Sequence, residues 1–454
     1  MAVPGARGPD PDSTLPGSNP LASRLPAGPV MPPGRTVSSS KRWLRWLTPG
    51  LYVKRWLLLF MAGILIIDLG IAYFLKTIYQ EAPLPGEFFY ITLQFWPRAL
   101  RAVIFGGIGV GLLVFSVIGL QRSVLGPFIP GGEASVADLI YSFRSRSRGP
   151  RIVAIGGGTG LSSLLRGIKE YSANLAAVVT VADDGGSSGR LRDEYRILPP
   201  GDFRQCLVAL ADAEPLVKRL FEHRFQGGSL TGHSFGNLFI MAMADITGNF
   251  ENALRESGRV LAVRGAIVPS TLEDVVLCAN VNGSTVRGES AIPKRGTEPI
   301  SHVFLQPEVE INPEAALAIM NAELIVIGPG SLYTSILPNL LVRGMVEAIK
   351  ASPALKVFIC NVASQHGETD DFRVSDYLRV VEEHVGGNVF DFVIANSNLS
   401  HTPTGGQSKV VFDTDAAIHR DVRFILADVV NNRIPSHHDS DKLAKVIMKK
   451  VWQN

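Results

Sequence analysis

The chain is short of cysteine, of charge and of the usual cofactor signatures. Three cysteines in 454 residues, Cys206, Cys278 and Cys360, stand far apart in apolar surroundings. With no C-x-x-C and no Cys/His cluster, a zinc site or a disulfide framework is excluded, and buried, reduced thiols in a cytosolic domain are expected. Charged residues make up only 19% and mean hydropathy is +0.19, which points to membrane segments. A net charge of +3, with no basic stripe carrying interleaved aromatics, argues against a nucleic-acid partner. No apolar core lies near Met1, so a signal peptide is not expected. Residues 1–40, rich in Pro, Gly and Ser, read as a disordered tail that continues through a basic stretch to residue 55.

What is present begins with two apolar runs, 56–75 and 102–120, each long enough to span a bilayer and neither with a polar stripe. Trp43, Trp46, Tyr52 and Trp56 precede the first, and Phe95 and Trp96 the second, where interfacial aromatics belong. Residues 56–120 therefore read as a two-helix transmembrane hairpin. Lys41, Arg42, Arg45, Lys54 and Arg55 lie before it, and Arg122, Arg144, Arg146, Arg148 and Arg151 after it. That bias puts both termini and everything after residue 120 on the cytoplasmic side of the cell membrane. Asp68 inside the first span is read as an inter-helix hydrogen-bonding group. Gly107 and Gly111 form a small-xxx-small contact. Residues 121–150 read as a cytoplasmic linker.

From Arg151 to Asn454 the pattern is strands alternating with helices. Ile152-Val153-Ala154-Ile155, 174–181, 324–327, 356–360 and 390–394 are near-continuous aliphatic strands. Helices are expected at 203–213, 214–225, 236–247, 250–263, 333–350 and 373–384, with a closing helix at 443–452. Such strands imply a mostly parallel, doubly wound, Rossmann-like α/β sheet with helices on both faces. Residues 275–281 and 284–288 form an antiparallel insertion turning at Asn282-Gly283.

The organising stretch is the first strand running into Gly156-Gly157-Gly158-Thr159-Gly160 and a helix, a turn suited to an anion such as phosphate. Leu161 stands where a dinucleotide fingerprint needs its third glycine, and no Gly-Lys-Ser/Thr follows, so neither common nucleotide signature fits. Gly328-Pro329-Gly330-Ser331-Leu332-Tyr333 repeats the layout. After the second strand come Asp183-Asp184-Gly185-Gly186-Ser187-Ser188-Gly189-Arg190, carboxylates for a hydroxyl or Mg²⁺ and a cation for phosphate. Asp202 with Arg204 opens a helix, where Asp202 is either a ligand contact or its N-cap. His233-Ser234 with Asn237 opens another, with His233 a ligand contact, a general acid or a structural histidine. Asn361 ends a strand, and Gly367-Glu368-Thr369-Asp370 complete a ring of polar groups.

Four of these motifs, 155–161, 181–192, 232–237 and 327–335, resemble the gluconeogenesis-factor (YvcK-like) branch of the YvcK/CofD family over residues 151–397. The resemblance implies a Rossmann-like domain that binds a UDP-sugar such as UDP-N-acetylglucosamine and supports cell shape and wall synthesis on gluconeogenic carbon. Its other branch transfers 2-phospho-lactate from a nucleotide-activated donor to a deazaflavin, with Mg²⁺ held by aspartate, here Asp183. Gln205 stands where the family has Asn, and the N-terminal hairpin is absent from the usual soluble form. A nicotinamide oxidoreductase is the weakest reading, since its third glycine is missing. Ser187, Ser188 and Ser331 have no base partner visible in the sequence, so binding without turnover is expected. The sequence leaves the oligomeric state open, a homo-oligomer included, and names no protein partner.

Overall fold

The computed structural model describes residues 145–453 except 214, 297 and 414–421, together with 95–125 and isolated positions from 61 to 93. The chain divides into two units, Met1–Asp138 and Leu139–Asn454.

In the first unit, helix α1 (Arg98–Leu125) holds an 18-residue window, Ala99–Ser116, of mean hydropathy 2.0 with none of it buried. It is the one helix among the described residues long and apolar enough to cross a membrane. It covers the second expected span and runs past residue 120. Most of the first expected span, and the tail before it, lie outside the described residues. Asp68 is helical and exposed.

The second unit is ordered as β1 (Ile152–Gly156), α2 (Gly158–Ile168), β2 (Leu175–Val179), α3 (Gly186–Tyr195), α4 (Pro200–Leu210), α5 (Pro215–Glu222), α6 (Phe235–Thr247), α7 (Phe250–Val260) and β3 (Ala266–Pro269). It continues through β4 (Val276–Val281), β5 (Ser284–Arg287), β6 (Ile300–Gln306), α8 (Pro313–Met320), β7 (Leu324–Ile327), α9 (Leu337–Leu340), α10 (Met345–Ala351) and β8 (Leu355–Ile359). It closes with α11 (Val374–Val385), β9 (Phe392–Asn396), β10 (Arg423–Ala427) and α12 (Ser440–Val446).

Seven strands form one sheet in the order β10-β9-β8-β7-β1-β2-β3, every pair parallel. β1 and β7 are buried at every position, as strands covered on both faces must be. From β1 the chain builds outward to β3, then returns to β1's other edge with β7. Right-handed crossovers therefore lay helices on opposite faces in the two halves, and a crevice opens between β1 and β7 at the strands' C-terminal ends. α2 packs against α4 and α12, and Lys169 donates to the Ala209 and Ala211 carbonyls, tying off the end of α4.

Several expectations shift. The insertion is a separate sheet, β5-β4-β6, with a third strand the sequence reading lacked. Its turn is as expected: Asn282 and Gly283 both take positive φ, 47° and 78°, the backbone of a type I′ hairpin. The single helix expected at 333–350 is three pieces. A π-helical turn, Leu332–Ile336, runs into α9, and Gly344 at φ +88° breaks the chain before α10. Residues 145–150 are not free linker. Asn174 donates to the Ser147 and Gly149 carbonyls and Ser172 to the Pro150 carbonyl, fastening this segment to the domain. β3, β10 and α8 were not expected, being short or bounded by polar residues. The three thiols are free and buried.

Candidate functional site

Two glycine turns face each other across the β1/β7 crevice. Gly158 enters α2 at φ +60°, a left-handed backbone that disfavours any side chain. Its N–H donates to Asp202 Oδ2 at 2.7 Å. A methyl group on Gly160 would collide with the carbonyl of Pro329, so close is the approach of the second turn. That turn is held by Asn361 at the end of β8, which accepts from the Gly330 N–H at 3.3 Å and donates to its carbonyl at 2.8 Å. Ser331 caps the π-helical turn, accepting from the Thr334 N–H at 3.3 Å and from the Thr334 hydroxyl at 2.6 Å, and its own hydroxyl donates to Glu368. With all three of its hydrogen-bonding capacities filled, Ser331 is a cap rather than a free nucleophile.

A cavity of about 300 Å³ lies between these turns. Of the expected residues, Gly157, Gly158, Thr159, Gly160, Gly330, Ser331 and Asn361 line it. It is also lined by Glu289, Gln365, Glu368, Gln407, Ser436 and His438, drawn from the insertion and from loops far along the chain. Gly156 and Gly328 sit behind the turns at the strand ends. Tyr333 points into the core, 2% exposed, with its ring edge-on to His384.

The remaining expected residues form a second, connected cluster. Asp183 accepts the Gly185 N–H at 2.9 Å, and the Ser188 hydroxyl also donates to it. Asp184 accepts the Ser290 N–H at 2.8 Å, which anchors the loop that carries Glu289 to the cavity. Gly185 caps α3 and Gly186 opens it. Ser187, in the first turn of α3, lies 3.0 Å from His233 Nδ1 and accepts from Asn237 Nδ2 at 3.1 Å. Asn237 is in turn held by Arg204 Nε at 3.0 Å. Ser234 is the N-cap of α6. Arg190 is exposed and donates to the Thr231 carbonyl at 2.9 Å. Asp202 is not the N-cap of α4: Pro199 is, and Asp202 spends its carboxylate on the first glycine turn. His233 therefore supplies Ser187 with the base partner that the sequence could not show.

The charges of this region are mostly negative. Burial, then the charge of Asp183, pushes Asp202 up to about 7. Burial, then Asp183, Asp184, Asp202 and Glu368, pushes Glu289 up to about 8. Asp183 is raised by burial. His438, buried and donating Nε2–H to the Cys360 carbonyl, is held down to about 4 and is neutral. His233 is lowered by burial and then by Arg190. No group of three or more His, Cys, Asp or Glu able to hold a metal ion is found among the described residues. A Mg²⁺ at Asp183 would draw on ligand phosphate and water to complete its shell.

The sequence profile described as "2-phospho-L-lactate transferase CofD" matches residues 152–430. The chain belongs to the CofD family. Within it, the chain is 43% identical to a "Putative gluconeogenesis factor" of Nostoc sp., covering 91% of this chain and 94% of that one. It is 45% identical to the "Gluconeogenesis factor" of Bacillus subtilis, covering 66% of this chain and 97% of the relative. A crystal structure of a Bacillus halodurans protein superposes with a TM-score of 0.63 at 43% identity, covering 66% of this chain and 99% of that chain. The fold and the gluconeogenesis-factor branch are as the motifs implied. The Nostoc match extends well N-terminal of Arg151, whereas the Bacillus subtilis relative, covered almost end to end, matches only two thirds of this chain.

Glu289, Gln365, Gln407, Ser436 and His438 were missed in the sequence. Gly367-Glu368 was seen only as part of a polar ring. The one local signal for Glu289 was its place just after a hairpin, beside Gly288; the others are ordinary loop residues until the fold collects them.

Proposed function

We propose that this chain is a membrane-tethered gluconeogenesis factor that binds a nucleotide-sugar of the UDP-N-acetylglucosamine type and regulates cell-envelope morphogenesis and carbon metabolism without fast turnover. The observation that carries this reading is the cavity between two facing strand–glycine–helix turns at the β1/β7 switch point, where open α/β sheets bind nucleotides. First-turn N–H groups of α2, at Thr159 and Gly160, are available to a ligand oxygen. The relatives' name supports the gluconeogenic role. The apolar helix α1 and the Lys/Arg bias around it support the tether. Calorimetric titration of the full chain in detergent with UDP-N-acetylglucosamine, GDP, NAD and a deazaflavin tests it. Saturable binding of the UDP-sugar alone is expected; binding of NAD or deazaflavin without it would overturn the reading.

A second reading, transfer of 2-phospho-lactate to a deazaflavin, is favoured by the Ser187–His233 pair, the one hydroxyl–imidazole contact in the site, and by the family description. In such a transfer His233 would accept the proton of the attacking hydroxyl. This reading ranks second because the full-length relatives carry the gluconeogenesis-factor name.

A further inference from the structure

We infer that the switch-point cavity receives the sugar, the uncharged and hydroxyl-rich end of the ligand, while the diphosphate sits outside it toward Arg190 and Arg224. This deepens the UDP-sugar reading and rests on it. Three observations carry the orientation. Among the described residues, no Lys or Arg lines the cavity. Its ionisable walls are Glu289, Glu368, His437 and His438, and the neutral His438 spends its one N–H on the Cys360 carbonyl, which leaves Nδ1 as a hydrogen-bond acceptor. Two carboxyl groups, with the hydroxyls and amides of Asn361, Gln365, Gln407 and Ser436 around them, match a hydroxyl-rich polyol better than a dianion. Secondly, the chain's own carboxyl groups already take a donor at each glycine turn. Asp202 takes the Gly158 N–H, and Glu368 takes the Ser331 hydroxyl at the cap of the second turn. A diphosphate placed deep between them would meet carboxylates from both sides. Thirdly, two exposed guanidiniums, neither of them in the cavity lining, meet at one loop. Arg190 grips the Thr231 carbonyl at 2.9 Å and Arg224 the Gly232 carbonyl at 3.0 Å, flanking the loop that leads into His233. Each keeps further N–H donors for phosphate oxygens.

The test compares UDP with UDP-N-acetylglucosamine on the full chain, wild type and variants, by calorimetry. Gln407→Leu alters one cavity wall, and Ser436→Ala another, where it also removes the acceptor of the Thr404 N–H. Each is expected to weaken UDP-N-acetylglucosamine about tenfold, the worth of roughly 1.4 kcal/mol, and to leave UDP unchanged. Arg190→Ala with Arg224→Ala is expected to weaken both ligands by the same factor. Equal losses of UDP and UDP-sugar in the wall variants would overturn the orientation, since the diphosphate would then occupy the cavity. Retention of both affinities in the arginine pair would overturn it as well. If the wild-type chain binds neither ligand, the nucleotide-sugar reading itself falls, an outcome distinct from these. Circular dichroism melts confirm that each variant is folded before it is scored.

Discussion

The carboxylate of Asp202 accepts the backbone N–H of Gly158 at 2.7 Å, across 44 positions of sequence. This bond fixes the first glycine turn with an internal anion, so the helix end is organised before any ligand arrives. It also makes the turn sensitive to the charge of one side chain.

Asp202 is raised to about 7 from an ordinary value of 3.8. The folded state therefore binds this proton more tightly than the unfolded chain, and the linked stability falls as pH rises from about 4 to about 7. Asp202→Asn keeps an acceptor for Gly158 and removes the charge. Thermal melts at pH 5 and pH 8 should show a smaller drop in Tm for Asp202→Asn than for the native chain. Equal drops would place the sensitivity elsewhere.

Gly160 has no space for a methyl group because the Pro329 carbonyl lies over it. Gly160→Ala must push the two turns apart, at a cost of about 1–3 kcal/mol as for other overpacked sites. A lower midpoint in urea is expected, with loss of UDP-sugar binding. Gly186→Ala, where a methyl would meet nothing within 4 Å but φ is +50°, is expected to cost less.

Glu289 stands at about 8, so near neutral pH it is largely a neutral carboxylic acid. Above that it becomes a charge facing Asp183, Asp184, Asp202 and Glu368, and an anionic ligand nearby is repelled. UDP-sugar affinity is expected to fall as pH rises from 7 to 9, and Glu289→Gln to flatten that fall. Titration calorimetry at three pH values reads it; an unchanged slope in Glu289→Gln would remove Glu289 from the account.

Asp183 is the carboxylate a Mg²⁺ would use, and the Ser187 hydroxyl lies against His233 Nδ1. The chain incubated with Mg²⁺, a deazaflavin and a guanylylated phospho-lactate donor is expected to release no nucleotide. Deazaflavin-dependent release that disappears in Asp183→Ala or His233→Gln would establish the transferase instead.

For the tether, reporter fusions after Ser40 and after Asn454 are both expected on the cytoplasmic side, from the Lys and Arg that flank residues 56–120. An external C-terminus contradicts the two-span arrangement.

The sequence alone determined the α/β alternation, both glycine turns, the Asn282-Gly283 hairpin and the apolar helix, because each rests on local chemistry: aliphatic runs, positive-φ residues, uninterrupted hydrophobicity. It also picked out Ser187, Arg204, His233 and Asn237 as separate polar spots. Only the fold joined them into one hydrogen-bonded chain, because the joining contacts run between α3, α4 and α6. The break of 333–350 into three helical pieces was hidden for a similar reason, since an apolar run of that length looks the same whether or not Gly344 turns left-handed. The cavity's acidic walls were decided wholly by tertiary structure. Glu289 and Glu368 in the wall, and Asp202 at the first glycine turn, come from three distant segments, and a carboxylate's burial, partners and charge near neutral pH follow from its neighbours in space rather than in sequence.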